Sequence, residues 1–318
     1  MTLDTDTRHV PVALSRVLEL LEPVLGSTGS HPVMVDATTG LGGHSAAVLT
    51  RFPRARIIGV DRDPQAVAAA STRLAEFGDR VRIHHARYDE LGSVLDQEGL
   101  ARVDAILFDL GVSSMQIDEQ HRGFAYARSA PLDMRMDTTA DLTAEQVVNT
   151  YSQSELARIL WQYGEERFAR RIARQIVTDR PLHTSDDLVA CVDAAVPVAA
   201  RRKGHPAKRT FQAVRIEVNE ELQSLERALP IALHRLRPGG RFVALSYHSL
   251  EDKMVKRALR VGAQESAPPD LPVLPPDSRP WLRLITRGSE VASEAEVAAN
   301  PRARSVRLRA AEKLREAS

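Results

Sequence analysis

A single cysteine, Cys191, stands among 318 residues. It excludes a disulfide framework within the chain and leaves no Cys-x-x-Cys pair for zinc. Charge is nearly balanced, with 43 Lys and Arg against 42 Asp and Glu and a net charge of +1. A polyanionic partner must therefore be met by local patches and not by overall basicity. No basic segment precedes an apolar run at the N-terminus. Thr2-Leu3-Asp4-Thr5-Asp6 is acidic, and the segment after it is broken by Arg16, Glu19 and Glu22. That pattern is neither a signal peptide nor a membrane span. Tandem repeats are absent too. A cytoplasmic enzyme with no metal and no membrane partner is the expectation. Hydrophobic residues make up 43% of the chain, enough for a large core in one or two domains.

Against these absences stands a glycine-rich stretch, Gly40-Leu41-Gly42-Gly43-His44, directly after an apolar segment that ends in an acid, Pro32-Val33-Met34-Val35-Asp36. A second apolar segment, Ile57-Ile58-Gly59-Val60, also ends in an acid, Asp61. Glycine lets backbone approach a ligand closely, and an acid about 20 residues on can bind ribose hydroxyls. The pattern points to an adenosine-containing cofactor.

Strands are expected at 32–36, 56–61, 81–84 and 104–109, and helices at 12–25, from about His44, and from Pro64 to about Phe77 with Asp63 as N-cap. Such alternation gives a doubly wound parallel sheet. It then stops for about a hundred residues of helical signals, including the capping boxes Thr143-x-x-Gln146 and Ser152-x-x-Glu155. Apolar residues at Phe211, Val214, Val218, Leu222, Leu225 and Leu229 read as one sustained helical stripe, packed within the chain or between copies. The strand pattern resumes at 241–246; 263–280 is proline-rich and reads as a loop, and 281–286 and 305–309 read as closing antiparallel strands. The expected fold class is α/β, a Rossmann-like doubly wound sheet interrupted by an all-helical insertion. Residues 1–118 and 215–318 form the core and 119–214 the insertion.

Nicotinamide enzymes and methyltransferases share glycine loops. A pyrophosphate site wants a third glycine where this chain has Ser45, and Asp36 would oppose two phosphates. S-adenosylmethionine carries a sulfonium and an ammonium instead, and its carboxylate can use N–H groups near Gly42 and Gly43. The residues favour it, with a dinucleotide as the competing reading. Asp109 ends the fourth strand, where chemistry gathers in such sheets, and Ser113 and Ser114 follow it. Tyr88 either packs on adenine or covers the sheet edge, and Gln116 bonds either cofactor or backbone.

At these residues the chain resembles the bacterial small-subunit ribosomal RNA cytosine-N4 methyltransferases. The shared strings include His9-Val10-Pro11-Val12, Gly42-Gly43-His44-Ser45, Asp61-Arg62-Asp63-Pro64 and Leu107-Phe108-Asp109-Leu110-Gly111-Val112-Ser113-Ser114. Pro131-Leu132-Asp133-Met134-Arg135-Met136-Asp137, Tyr163-Gly164-Glu165-Glu166-Arg167-Phe168-Ala169 and Arg209-Thr210-Phe211-Gln212-Ala213-Val214-Arg215-Ile216 continue the series. Ser246-Tyr247-His248-Ser249-Leu250-Glu251-Asp252 and Asn300-Pro301-Arg302-Ala303-Arg304-Ser305 complete it. Positions 88 and 247 carry Tyr where the family often has Phe. The resemblance implies S-adenosyl-L-methionine contacts at Gly42, Gly43, His44, Asp61, Tyr88, Asp109 and Gln116. It also implies a methyltransferase core split by a helical substrate domain. The implied substrate is a cytosine in the decoding region of 16S rRNA in the small ribosomal subunit.

Methyl transfer to an exocyclic amine needs alignment and a hydrogen-bond acceptor for the amine, with no covalent nucleophile. That agrees with a lone cysteine in a helical stretch. The Asp/Ser-Pro-Pro-aromatic motif of many amino-methyltransferases is missing after the fourth strand, so Asp109, a nearby serine or His248 must substitute. For RNA, Arg201, Arg202, Lys203, Lys208, Arg209 and Arg215 form a basic run with no acid among them, suited to phosphates. Arg302, Arg304, Arg307 and Arg309 form a second run, which reads as a strand edge protected by charge. Arg167, Arg170, Arg171 and Arg174 read as a solvated helix face. A monomer and a homodimer are equally compatible with the sequence. Competing functions are amino-methylation of DNA or a small molecule, a catalytically inactive RNA-binding module, and a nicotinamide dehydrogenase.

Overall fold

The computed structural model describes residues 11–27, 29, 31–203, 205–265 and 278–316, the side chains of 201–203 excepted. The proline-rich stretch lies mostly outside the described residues, as do His9, Val10 and the side chains of Arg201, Arg202 and Lys203. The chain divides into two compact units, Met1–Gly111 with Gln223–Ser318, and Val112–Leu222.

The first unit is built on a seven-stranded sheet. Its strands are β1 (Val33–Asp36), β2 (Arg56–Asp61), β3 (Val81–His85), β4 (Val103–Asp109), β5 (Leu236–Ser246), β6 (Leu282–Leu284) and β7 (Arg307–Lys313). They lie in the order β3-β2-β1-β4-β5-β7-β6. The first five are parallel, and β7 runs antiparallel to both β5 and β6. Side chains alternate between two buried faces. Val35, Ile58, Ile106, Phe108, Phe242 and Ala244 enter one core, while Met34, Ile57, Ala105, Leu107, Val243 and Leu245 enter the other. Burial on both faces explains why these strands read as unbroken apolar runs.

Helices α1 (Leu14–Leu25) and α2 (Gly43–Arg51) cover the second face. The first face is covered by α4 (Leu91–Gln97), α11 (Glu221–Arg235) and α12 (Ser249–Ala263). Helix α3 (Pro64–Arg73) is capped by Asp63, whose carboxylate accepts the Gln65 N–H at 3.0 Å. It stops before Phe77 because Ala75–Arg80 tightens into a 3-10 turn with Gly78 at φ 55°. The strand order reverses between β1 and β4, so the carboxyl ends of these two strands flank the switch point where ligands bind in such sheets. The closing strand falls a few residues later than the sequence pattern suggested, and β7 is not an edge, since β6 pairs with its far side. The second basic run is therefore no guard for an open strand. Arg309 on β7 instead pairs bidentately with Asp252 at 2.7 and 3.1 Å.

The second unit holds α5 (Ser114–Asp118), α6 (Ala144–Thr150), α7 (Gln153–Gln162), α8 (Ala169–Asp179), α9 (Ser185–Ala195) and α10 (Ala207–Asn219). Its own core gathers Val147, Leu156, Ile159, Ile172, Ile176, Val192 and Phe211. Thr143–Gln146 and Ser152–Glu155 form reciprocal capping boxes at α6 and α7, each satisfying two orphan N–H groups. The string from 131 to 137 is a folded loop. Met134 takes φ 57°, Arg122 donates to the Arg135 and Met136 carbonyls, and Asn219 bonds Met136 N and Met134 O.

The units part at other residues than the sequence pattern suggested. The stripe from Phe211 to Leu229 is two helices, because Glu220 adopts the left-handed conformation at φ 48°. Val214, Ile216 and Val218 enter the helical core, whereas Leu225 and Leu229 enter the sheet core. Since α10 is continuous past residue 214, its second half stays with the helical unit. Val112 and α5 also fall on that side. Among the described residues no helix is long and apolar enough to cross a membrane.

Candidate active site

The glycine loop connects β1 to α2. Gly40 and Gly42 sit at φ 52° and 74°, a region costly for residues with a Cβ. A Cβ on Gly43 would come within 2.7 Å of Pro11 Cγ, so only glycine admits that approach. The first-turn N–H groups of α2 have no acceptor within the helix and form an anion-binding end.

Two aspartates brace the loop. Asp36 is 1% exposed and accepts the Ser45 hydroxyl at 2.6 Å. Burial pushes its carboxyl up, against the Ser45 bond and the nearby His44. Ser45, at the position of a third glycine, is therefore the partner that makes a buried acid tolerable. Asp36 does not lie open to a ligand, and its charge works from beneath the loop. Asp61 accepts the Gly40 N–H at 2.7 Å and the Asp63 N–H at 2.9 Å, one on each carboxylate oxygen. Burial pushes its pKa up to about 6. Each oxygen keeps a further lone pair for a hydroxyl donor.

Asp109 ends β4 in the same unit. Its Oδ1 accepts the Tyr247 hydroxyl at 2.7 Å, and its Oδ2 lies 3.6 Å from His44 Nδ1. His44 is 6% exposed, and its Nε2–H is held by the Val12 carbonyl at 3.0 Å, which aims the other ring nitrogen at Asp109. The Asp109 N–H donates to Thr38 Oγ1 at 2.6 Å. The carboxylate remains 25% exposed. Burial pushes Asp109 up, opposed by His44 and by the Tyr247 phenol. Tyr247 is in turn pushed well above the usual phenol range by burial and by Asp109. Its ring covers Gly111, which takes φ 91°. Thr38 and Tyr247 had no role in the sequence reading. The only signal was that Tyr247 lies in a shared string.

His248 stands in the turn between β5 and α12. It is the N-cap of α12: its Nδ1 accepts the Glu251 N–H at 3.4 Å and its Nε2 lies 3.2 Å from Glu251 Oε1. Glu251 also accepts the N–H groups of Tyr247 and His248. The two imidazole nitrogens thus face the backbone N–H and the carboxylate of the same residue, and the Glu251 carboxylate fixes the turn that carries Tyr247. Tyr88 packs edge-to-face on Phe108 with ring centroids 5.8 Å apart.

Gln116 belongs to the helical unit, where its side chain accepts the Ser113 N–H at 3.0 Å and the Ser113 hydroxyl accepts the Gln116 N–H at 3.2 Å. This capping box occupies the Ser113 hydroxyl. Of the first basic run, Lys208 and Arg209 are exposed at the start of α10. Arg215 is not: it pairs bidentately with Glu221 at 2.8 and 2.9 Å, with both side chains largely buried. The acid missing from the run is supplied across the helix break at Glu220, so Arg215 is withdrawn from phosphate contact.

Comparison with known proteins places this geometry in a family. A protein of Salinispora tropica is 59% identical over 312 residues, covering 96% of this chain and 84% of its own. One of Frankia alni is 59% identical over 310 residues, covering 96% and 95%. One of Parafrankia is 57% identical over 312 residues, covering 97% and 95%. Each is named ribosomal RNA small subunit methyltransferase H. The match to a family runs from residue 6 to residue 314, and the chain belongs to the MraW methylase family.

Proposed function

We propose that this chain is an S-adenosylmethionine-dependent methyltransferase acting on N4 of a cytosine in the decoding region of 16S rRNA, in the cytoplasm where small ribosomal subunits assemble. The observation that carries the reading is the Asp109 carboxylate, partly exposed at the switch point, held by Tyr247 and faced by His44. The names of the relatives support the substrate class.

The residues fit the cofactor. Left-handed Gly40 and Gly42 and the start of α2 suit a carboxylate, and the spare lone pairs of Asp61 suit ribose hydroxyls. Asp61 and Asp109 both lie within the field of Asp36. Such an acidic crevice opposes a pyrophosphate and favours a sulfonium and an ammonium. Tyr88 offers an aromatic surface for adenine. Once bound, S-adenosylmethionine supplies an electrophilic methyl group.

Cytosine N4 is a weak nucleophile because its lone pair is delocalised into the ring. Asp109 accepts an N–H hydrogen bond from that amine and takes its proton as positive charge develops on nitrogen. The raised proton affinity of Asp109 suits it to that task. Tyr247 and His44 hold the carboxylate in place, and His248 positions Tyr247 through Glu251.

The test is tritium transfer from labelled donor to small-subunit RNA, assembled subunits, duplex DNA and free cytidine, with mass mapping of the product. Transfer confined to the RNA or the subunit, as N4-methylcytidine, is expected. Preferential transfer to DNA or free cytidine would overturn the substrate assignment. Asp109→Asn should abolish turnover, while affinity for S-adenosylhomocysteine changes only several-fold. Full turnover in that variant would remove Asp109 from proton transfer.

A further inference from the structure

Helix α8 carries charge in the reverse of the order that helix stability favours. Arg170 and Arg171 stand in its first turn, against the positive end of the helix dipole, and no acid accompanies them there. Arg174 follows at i+4 and i+3 from these two, so like charges repel along one face. The opposite face, Ile172, Ala173 and Ile176, is buried and anchors the helix. All three arginines are exposed, and among the described residues none of their side chains makes a hydrogen bond or ion pair. In a nearly neutral chain with 42 acids, such a stripe is not a consequence of composition.

The stripe extends beyond the helix. Arg167, in the turn before α8, is exposed and lies over the Phe168 ring, with its guanidinium carbon 4.6 Å from the ring centroid. Exposed Arg209 on α10 donates to the Glu165 carbonyl at 3.1 Å, which brings the described part of the first basic run beside the same turn. Trp161, in the last turn of α7, is 64% exposed. Helices α7 and α8 pack together across the short connection 163–168, so Trp161 lies at the end of the pair that carries Arg167 and Arg170.

We infer that the exposed face of α8, with Trp161 at its end, is a docking surface for the RNA substrate. The guanidinium groups take backbone phosphates and the indole stacks on an unpaired base. Arginine at a helix N-terminus is unfavourable alone and becomes favourable once a polyanion is bound. This inference rests on the RNA methyltransferase reading and assigns the substrate a second contact, on the helical unit.

The experiment uses the full chain with the triple change Arg170→Gln/Arg171→Gln/Arg174→Gln and measures binding of labelled small-subunit rRNA by anisotropy across a salt series. The slope of log affinity against log salt should become shallower by about 2–3, and affinity near 0.1 M salt should fall about tenfold or more. The triple Arg→Lys change should restore the slope, since lysine keeps the charge. Trp161→Ala should weaken binding about fivefold or more with the slope unchanged. Thermal melting and S-adenosylhomocysteine affinity report that each variant is folded. An unchanged slope in folded Gln variant overturns the proposal. So does an equal loss from Lys256→Gln/Arg257→Gln/Arg260→Gln on α12, which would make the effect one of net charge. Binding is read without turnover, so a wild-type chain that binds RNA by this face yet transfers no methyl group refutes the methyltransferase reading alone.

Discussion

Replacing Tyr247 with Phe removes one hydroxyl and keeps the ring that covers Gly111. The lost contact is a 2.7 Å hydrogen bond to the Asp109 carboxylate. Hydrogen bonds to a charged acceptor are worth about 1.5–3 kcal/mol. One pKa unit corresponds to 1.36 kcal/mol, so the Asp109 pKa should rise by about 1–2 units. The sign follows from burial, which already pushes Asp109 up and which the phenol opposes. If the carboxylate is the proton acceptor, turnover falls as pH drops through its pKa. The acid limb of the kcat profile should therefore move to higher pH in Tyr247→Phe by about 1 unit or more, and the rate on that limb should fall about tenfold. S-adenosylhomocysteine affinity measured by calorimetry should change little above the limb. An unmoved acid limb in a folded variant would show that Asp109 does not carry the reacting proton or that Tyr247 does not tune it.

Ser45→Ala should lower stability by about 1–3 kcal/mol, since a buried carboxylate loses its hydroxyl donor. The deficit should shrink as pH falls and Asp36 takes up a proton, which burial favours, and thermal melts across a pH series test both points. Affinity for S-adenosylhomocysteine should weaken as pH falls through about 6, the Asp61 value, because only the carboxylate can accept from both ribose hydroxyls and the loop. Asp61→Asn should flatten that dependence in calorimetry. The same raised pKa has a consequence for folding. Its stabilising contribution is fully present below the unfolded value of about 3.9 and is lost as pH rises through about 6. Denaturation of the ligand-free chain should therefore show wild type losing stability relative to Asp61→Asn across that window. Arg215→Ala should cost about 3 kcal/mol by removing the bidentate partner of the largely buried Glu221, while the salt slope of RNA binding stays at its wild-type value. A shallower slope would return Arg215 to the phosphate contacts.

Local chemistry was legible in the chain. Apolar runs ending in Asp36, Asp61 and Asp109, the Asp63-Pro64 helix start and the two capping boxes all depend on residues within a few positions of each other. Strand period, helix capping and left-handed glycine are short-range effects, and the order of strands and helices follows from them. The break at Glu220 escaped because the apolar period runs straight through it. What stops the helix is the backbone bend that sends Val218 and Leu225 into different cores.

The amino-acid sequence by itself determined the doubly wound sheet, the glycine loop and the acids that line the strand ends, because each is encoded in a local pattern. Tertiary structure alone decided which of those groups are occupied and which are free to act. The register that sets Asp109 opposite Leu245 brings Tyr247 to a carboxylate 138 residues away. The fold of α2 onto β1 spends Ser45 on Asp36. The turn at Glu220 neutralises Arg215, while the packing of α8 leaves the side chains of Arg170, Arg171 and Arg174 unmatched among the described residues. Charge and proton affinity depend on neighbours and burial, and those exist only once distant segments have come together.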